Sequence, residues 1–295
     1  MSRHIGHNIG HLSAVIKERD GYNDARLTRK DKLMTDSVTA FYNAFAPEYT
    51  AIFQDWQRSV GRQADVLAAM IERLQSLPSA ETTTVLDVTC GIGTQAIGLA
   101  TKGYRVHGTD ISPDAIAQAR QNVDHFDVPV RPTFEVANLL QPPRVTKTYD
   151  VVLSADNSIA HFLTDTDLRK ALTSMLLQLK SGGLLMLSLR DYDRLVMLPP
   201  RSTEPIASET PNGRRVTFQL WNWDDNHQTY AMEQFILRQV GNEWQTTQLT
   251  TRLRAWQRDD LEEILLQQGL NNITWHMPKD SGYYQPIVSA LKPDW

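Results

Sequence analysis

The 295-residue chain has one cysteine, no long apolar run and no excess of basic charge. A single thiol, Cys90, excludes an internal disulfide framework and any zinc site built from cysteines. No stretch approaches the roughly 20 apolar residues that span a bilayer. Lys+Arg number 30 against 34 Asp+Glu, giving a net charge of −4 and a pI near 6.1. That balance argues against a chain that works by coating nucleic acid, since phosphate neutralisation needs a basic excess or stripe. The opening Met-Ser-Arg-His-Ile-Gly-His lacks the apolar run of a secretory signal, so the expectation is a cytoplasmic protein with no membrane partner. His4, His7 and His11 do not read as a metal cluster: Gly6 and Gly10 spoil the helix that would align them, and no Glu follows His7. No metal is expected.

What is present is a globular mixture, 41% hydrophobic and 22% charged. Residues 1–35 are polar and weakly periodic, and read as an N-terminal arm. From Asp36 apolar residues recur at helical spacing, first Phe41, Phe45, Tyr49, Ile52 and Phe53, then Val66, Leu67, Met70, Ile71 and Leu74, with Pro78 closing the segment. Strand and helix signals then alternate. Strands are expected at 84–88, 105–109, 133–136, 149–154 and, after a Gly182-Gly183 turn, 184–189. Ser112-Pro113-Asp114 marks a helix start, and 165–179 a helix. Such alternation predicts βαβ units in a doubly wound, mostly parallel seven-stranded Rossmann-like sheet with helices on both faces. Residues 191–254, rich in Thr, Trp, Tyr and Phe between turn signals, read as an inserted antiparallel meander. Residues 36–190 and 255–295 then form the main domain.

The sharpest local feature is Asp87-Val88-Thr89-Cys90-Gly91-Ile92-Gly93-Thr94-Gln95-Ala96, between a strand and a helix. Small residues there let a ligand approach the backbone closely. About 20 residues on stands Asp110, whose carboxylate can accept both ribose hydroxyls of an adenosine. Gly91-x-Gly93-x-x-Ala96 passes the loose dinucleotide pattern, so an NAD-dependent oxidoreductase is a rival. Charge separates the two. A pyrophosphate beside the Asp87 carboxylate is unwelcome, whereas S-adenosylmethionine brings an ammonium and a sulfonium; unit charges at 4 Å interact by about 4 kcal/mol at an effective dielectric of 20. Cys90, inside the turn with no neighbouring His, reads as a small packed side chain.

In doubly wound sheets ligands sit beyond the carboxyl ends of the strands. There stand Ala137-Asn138, whose amide can read an adenine edge, then Asp156-Asn157-Ser158, then Arg190-Asp191-Tyr192-Asp193. Asp-Asn-Ser lacks the Pro-Pro of base-methylating enzymes. A guanidinium at Arg190 suits a carboxylate, with a structural ion pair to Asp191 or Asp193 as the alternative. Val85–Gly93, Ala137-Asn138, Asn157-Ser158-Ile159-Ala160-His161, Arg190–Asp193 and Ser281-Gly282-Tyr283-Tyr284-Gln285-Pro286 together resemble the glycine and glycine/sarcosine N-methyltransferases, which are class I S-adenosylmethionine-dependent enzymes. The resemblance implies that Asp110 holds the ribose, Asn138 the adenine, and Thr89 the cofactor through its backbone. It places His161 and Arg62 at the methionine end and Tyr42 over the cofactor, with Ile111, Ala137, Leu139 and Ser154 completing the cofactor set. Asn157, Arg190 and Tyr192 would hold an amino-acid substrate. One departure stands out: Asp156 replaces the Gly expected before Asn157, an extra acid near the transferring methyl that could suit a cationic or bulkier amine.

The expected function is in-line methyl transfer from S-adenosylmethionine to the amine of a small metabolite, with Asp156 or His161 able to receive the proton. The alternatives are methylation of an oxygen or carboxylate, hydride transfer with NAD, and a non-catalytic cofactor-binding module. The expected partner is a small amine or amino acid, not nucleic acid, with a homo-oligomer left open.

Overall fold

A computed structural model describes residues 29–75, 79–143, 145–210 and 213–294. The histidines at 4, 7 and 11, most of the expected arm, and Pro78 lie outside the described residues. The chain begins with helix α1 (Arg29–Phe45), which extends into the stretch expected as an arm, then a 3-10 segment (Ala46–Ile52) and helix α2 (Trp56–Leu74). Asp55 starts α2, its Oδ1 accepting the Arg58 N–H at 3.0 Å.

The main sheet has seven strands: β1 (Thr84–Asp87), β2 (Arg105–Asp110), β3 (Thr133–Val136), β4 (Tyr149–Ser154), β5 (Leu179–Ser188), β10 (Asn271–His276) and β11 (Ile287–Leu291). Their order is β10-β11-β5-β4-β1-β2-β3, parallel except for β11, which runs antiparallel to both neighbours. The seven-stranded expectation is borne out. β1 is central, and Val85, Leu86 and Asp87 are fully buried, which is why its apolar residues run on without alternation. Between β1 and β4 the strand order reverses, so loops leaving their carboxyl ends diverge and open a crevice. That reversal fixes where a ligand can sit. Helices α3 (Thr94–Thr101), α4 (Pro113–Asn122) and α5 (Asp165–Gln178) follow β1, β2 and β4. Ser112 caps α4, accepting the Ala115 N–H at 3.0 Å ahead of Pro113, as the sequence signal predicts.

Two local expectations are corrected. Gly182 and Gly183 do not form a turn before a strand; they lie within β5, which begins at Leu179, and Gly182 takes the left-handed conformation at φ 68° where the pairing with β4 shifts register. The chain after Arg190 is not all meander, because helix α6 (Tyr192–Met197) comes first. The meander itself is a four-stranded antiparallel sheet in sequential order: β6 (Ile206–Thr210), β7 (Gly213–Trp223), β8 (Thr229–Val240) and β9 (Glu243–Arg254). Period-two alternation on β8 buries Tyr230, Met232, Gln234 and Ile236 on one face. Helix α7 (Arg258–Gln267) and the short α8 (Pro278–Ser281) complete the chain around β10 and β11.

Candidate active site

At the end of β1 the chain turns through Gly91 (φ 52°) and Gly93 (φ 94°), both left-handed. Gly93 caps α3, and a Cβ there would lie 2.8 Å from Ile97 Cδ1. The Asp110 carboxylate ties this loop to the next strand end: Oδ2 accepts the Gly91 N–H and Oδ1 the Ser112 N–H, each at 2.9 Å. A narrow cavity of about 70 Å³ lies here, bordered by Gly91, Asp110, Ile111, Ala137, Asn138 and Leu139. Asn138 Oδ1 accepts the Leu140 N–H at 2.9 Å, which fixes the amide to its own loop. Helix α1 closes one side, held by a 2.6 Å hydrogen bond from Ser112 Oγ to Asn43 Oδ1.

A second cavity, of about 570 Å³, shares Tyr42, Tyr49 and His161 with the first. The Tyr42 hydroxyl is 2.8 Å from His161 Nε2, and Thr251 Oγ1 lies 3.4 Å from Nδ1. Asp156, Asn157 and Arg190 line this larger space from the ends of β4 and β5, and Gln219, Met232 and Gln234 line it from the antiparallel sheet. Arg62 lines it from α2. Asn157 Oδ1 accepts the Arg190 backbone N–H at 3.1 Å, joining the two strand ends. The Arg190 guanidinium donates to Tyr230 Oη at 2.6 Å and Gln219 Oε1 at 3.0 Å, and lies 4.5 Å from the Trp221 ring centre. Asp191 and Asp193 instead pair with Arg258, at 3.2 and 2.7 Å. The ion-pair alternative for Arg190 therefore fails. Among the described residues its partners are neutral.

Burial dominates the electrostatics. Asp87 is 0% exposed, its Oδ2 has no hydrogen-bond partner among the described residues, and burial raises its pKa to about 8 against the pull of the Thr89 N–H. Asp110 and Asp156 are raised as well, chiefly by burial. Burial and then the Arg190 charge push His161 down to about 4, leaving a neutral imidazole and a weak base near neutral pH. Burial raises the thiol of Cys90, whose Sγ approaches the Gly91 carbonyl oxygen at 3.7 Å, so it is a packed, inert side chain as expected. Tyr42 is raised by burial and by Asp110 and Asp156, with Arg190 opposing. All three charges thus act on the hydroxyl that stands between the cavities.

Residues 85–183 match the family model described as a methyltransferase domain. The chain is 31% identical over 153 residues to a glycine/sarcosine N-methyltransferase of Parasynechococcus marenigrum, covering 52% of this chain and 54% of that protein. Among solved structures, a sugar N-methyltransferase from Streptoalloteichus superposes with a TM-score of 0.67 at 15% identity, covering 92% of this chain and 96% of that one. An amino pentose methyltransferase from Micromonospora echinaspora, solved with S-adenosylmethionine bound, gives 0.65 at 16%, covering 84% and 96%. Residues 85–183 are a methyltransferase domain. The solved structures share the fold of this chain. The chain spans about half or less of the length of the curated relatives it matches. No described helix is long and apolar enough to cross a membrane, and no described group of His, Cys, Asp and Glu could hold a metal ion.

The methyltransferase cofactor fits the residues present. Gly91 lets the loop backbone border the narrow cavity, Asp110 presents a carboxylate there, and the orphaned Asp87 oxygen suits a nearby cation better than a pyrophosphate. The structure brings most of the expected residues to the two cavities, but four stand behind the walls. Asp87 lies beneath the loop, and Gly93 packs on Ile97. Ser154 is 2.9 Å from Thr89 Oγ1, and Tyr192 Oη is 3.0 Å from Tyr230 Oη. None of the four borders a cavity. Sequence reasoning did not assign Tyr49, Gln95, Gln219, Tyr230 or Gln234, and took Tyr283 and Tyr284 only as part of a matching motif. Gln219 and Gln234 share one signal: polar residues directly paired across β7 and β8 in an otherwise apolar alternation.

Proposed function

We propose that this chain transfers a methyl group from S-adenosylmethionine to the amine of a small, carboxylate-bearing metabolite. The observation that carries this reading is Arg190, a guanidinium in the larger cavity with only neutral partners. It stands beside a narrow cavity that ends on the Asp110 carboxylate. The cofactor, when bound, supplies an electrophilic methyl group on a sulfonium. Asp110 would receive the ribose hydroxyls, and Asn138, with Ile111, Ala137 and Leu139, would border the adenine. Arg62 would meet the methionine carboxylate. Arg190 and Asn157 would hold the acceptor, while Tyr42, fixed by His161, would separate the adenosine from the acceptor space.

Orientation is the main catalytic contribution asked of these residues, and such positioning is worth about 7–11 kcal/mol. Asp156 is the better proton acceptor of the two expected, since His161 is held near 4 and its Nε2 is engaged by Tyr42. N-methylation is further supported by the glycine/sarcosine and sugar N-methyltransferases among the similar proteins. The test is release of S-adenosylhomocysteine over a panel of small amines and hydroxy acids, repeated with Arg190→Ala. Turnover of carboxylate-bearing amines, lost about 100-fold in kcat/KM in the variant, is expected, because a buried charged hydrogen-bond partner is worth roughly 3 kcal/mol. Turnover of hydroxy acids alone, or indifference to the variant, refutes it.

A further inference from the structure

Besides Asp55, Arg58 and Arg62, the larger cavity is lined by two opposite charges at the strand ends, Asp156 and Arg190, and the fold keeps these two apart. Asp156 follows β4 in the left-handed region at φ 58°, with Asn157 next to it at φ 68°. A non-glycine residue there carries backbone strain that glycine would escape. The turn is nonetheless firmly built. The Asp156 N–H donates to Ser188 Oγ at 2.8 Å and the Asn157 N–H to the Ser188 carbonyl at 3.0 Å, which directs the Asp156 side chain into the cavity.

Among the described residues its carboxylate meets neutral donors only. Gln95 Nε2 donates to Oδ2 at 2.8 Å; the Tyr283 and Tyr284 hydroxyls reach Oδ1, the former at 3.1 Å. Gln95 is itself anchored to Gln63 Oε1 at 2.7 Å, and Tyr283 shares its single proton between that oxygen, at 2.7 Å, and Asp156. The arrangement satisfies the oxygens but supplies no positive charge. The rings of Tyr283 and Tyr284 stand 4.9 Å apart beside it, a surface with negative faces that favours a cation.

Arg190 is the converse case, a cation held by Tyr230, Gln219 and the Trp221 face. Among the described residues none hydrogen-bonds both charged groups, and the two do not pair with each other. Each group therefore lacks a counter-charge that a ligand would bring. At about 570 Å³ the space, which would also take the methionine end of the cofactor at Arg62, is within the range that holds ligands larger than a two-carbon amino acid.

We propose that the acceptor is a zwitterion longer than an α-amino acid, with its ammonium received at Asp156 beside Tyr283 and Tyr284 and its anionic group at Arg190; the ammonium passes one proton to Asp156, which frees the nitrogen lone pair that takes the methyl group. Asp156 is then the residue that sets specificity against glycine. The inference rests on the amine-methylation reading above and adds the substrate class.

The test uses the full chain and the series glycine, 3-aminopropanoate, 4-aminobutanoate and 5-aminopentanoate. Binding is measured by calorimetry with S-adenosylhomocysteine present, and turnover by its release from S-adenosylmethionine. At least one longer member should bind and react about tenfold or more better than glycine. Asp156→Asn should remove that advantage while leaving the Kd for S-adenosylhomocysteine within about threefold, which also shows that the variant is folded. Tyr284→Phe, at a half-exposed position with little folding risk, should weaken the longer members in the same direction. Glycine equal to or better than every longer member, no binding by any longer member, or an Asp156→Asn variant with an unchanged profile overturns the proposal. Amine turnover with any of those results overturns this inference alone. Turnover confined to hydroxyl acceptors overturns the amine-methylation reading as well.

Discussion

Replacing Asp87 with Asn should stabilise the cofactor-free protein above neutral pH. In the folded chain burial raises the pKa of this carboxyl to about 8, against the ordinary value of 3.8 that it regains on unfolding. The raised folded pKa means that the native state binds more protons than the unfolded state between these values. Its contribution to stability is therefore full below the unfolded pKa and is lost as pH rises through the folded one. Linkage over that interval gives about 4 kcal/mol of stability lost between about pH 5 and about pH 9, an upper figure because relaxation around the charge reduces it. Asn fills the same volume and cannot ionise, so the variant should not share this loss. Urea unfolding of both proteins at the two pH values measures it. Wild type should fall relative to Asp87→Asn by 2–4 kcal/mol, to order of magnitude. A cation arriving over the loop would ionise the carboxyl. Calorimetry of S-adenosylmethionine in buffers of different ionisation enthalpy should then show release of up to about one proton near pH 7, absent in the variant. Parallel stability curves would refute the reasoning, because Asp87 would then carry no held proton for a cationic ligand to displace.

Two further outcomes follow from the packing. Tyr42→Phe removes the hydroxyl bonded to His161 Nε2 and leaves a buried ring nitrogen without that partner, a loss of about 1–3 kcal/mol. Thermal melts should show it, and the Kd of S-adenosylhomocysteine should rise about threefold to tenfold if Tyr42 covers the cofactor. Gly98→Ala places a Cβ 2.9 Å from both the Val60 carbonyl oxygen and Ala64 Cβ, where α3 meets α2. Helix propensity gains about 1 kcal/mol, overpacking costs about 1–3, and a backbone neighbour cannot swing aside, so Tm should fall by a few degrees. A rise in Tm would show that the helices separate freely.

The αβ core was legible because its signals are local. Strands β1 and β4 and the second half of β5 are short buried runs, the junctions after β1, β2 and β4 carry a glycine or a cap, and the ligand side of the sheet follows from strand order by general rule. Asp110, Asn138, Asn157 and Arg190 could be picked out for that reason: Asp110 ends its strand, and the other three stand just past theirs. The loop acid at 87 was also visible, but not its state. A carboxylate treated as charged in the sequence is protonated near neutral pH in the fold, since its solvent is replaced by buried apolar side chains.

What the sequence determined by itself was the fold class, the glycine loop and the approximate rim of the candidate site. Tertiary structure alone decided which residues share a cavity. It took Asp191 and Asp193 away from Arg190 by giving them Arg258, a residue 67 and 65 positions away. It also brought Tyr283 and Tyr284 more than 120 positions back to Asp156. Periodicity reports the face on which a side chain lies, but the partner across a cavity depends on how separate elements pack. Whether a charge is compensated is settled only there.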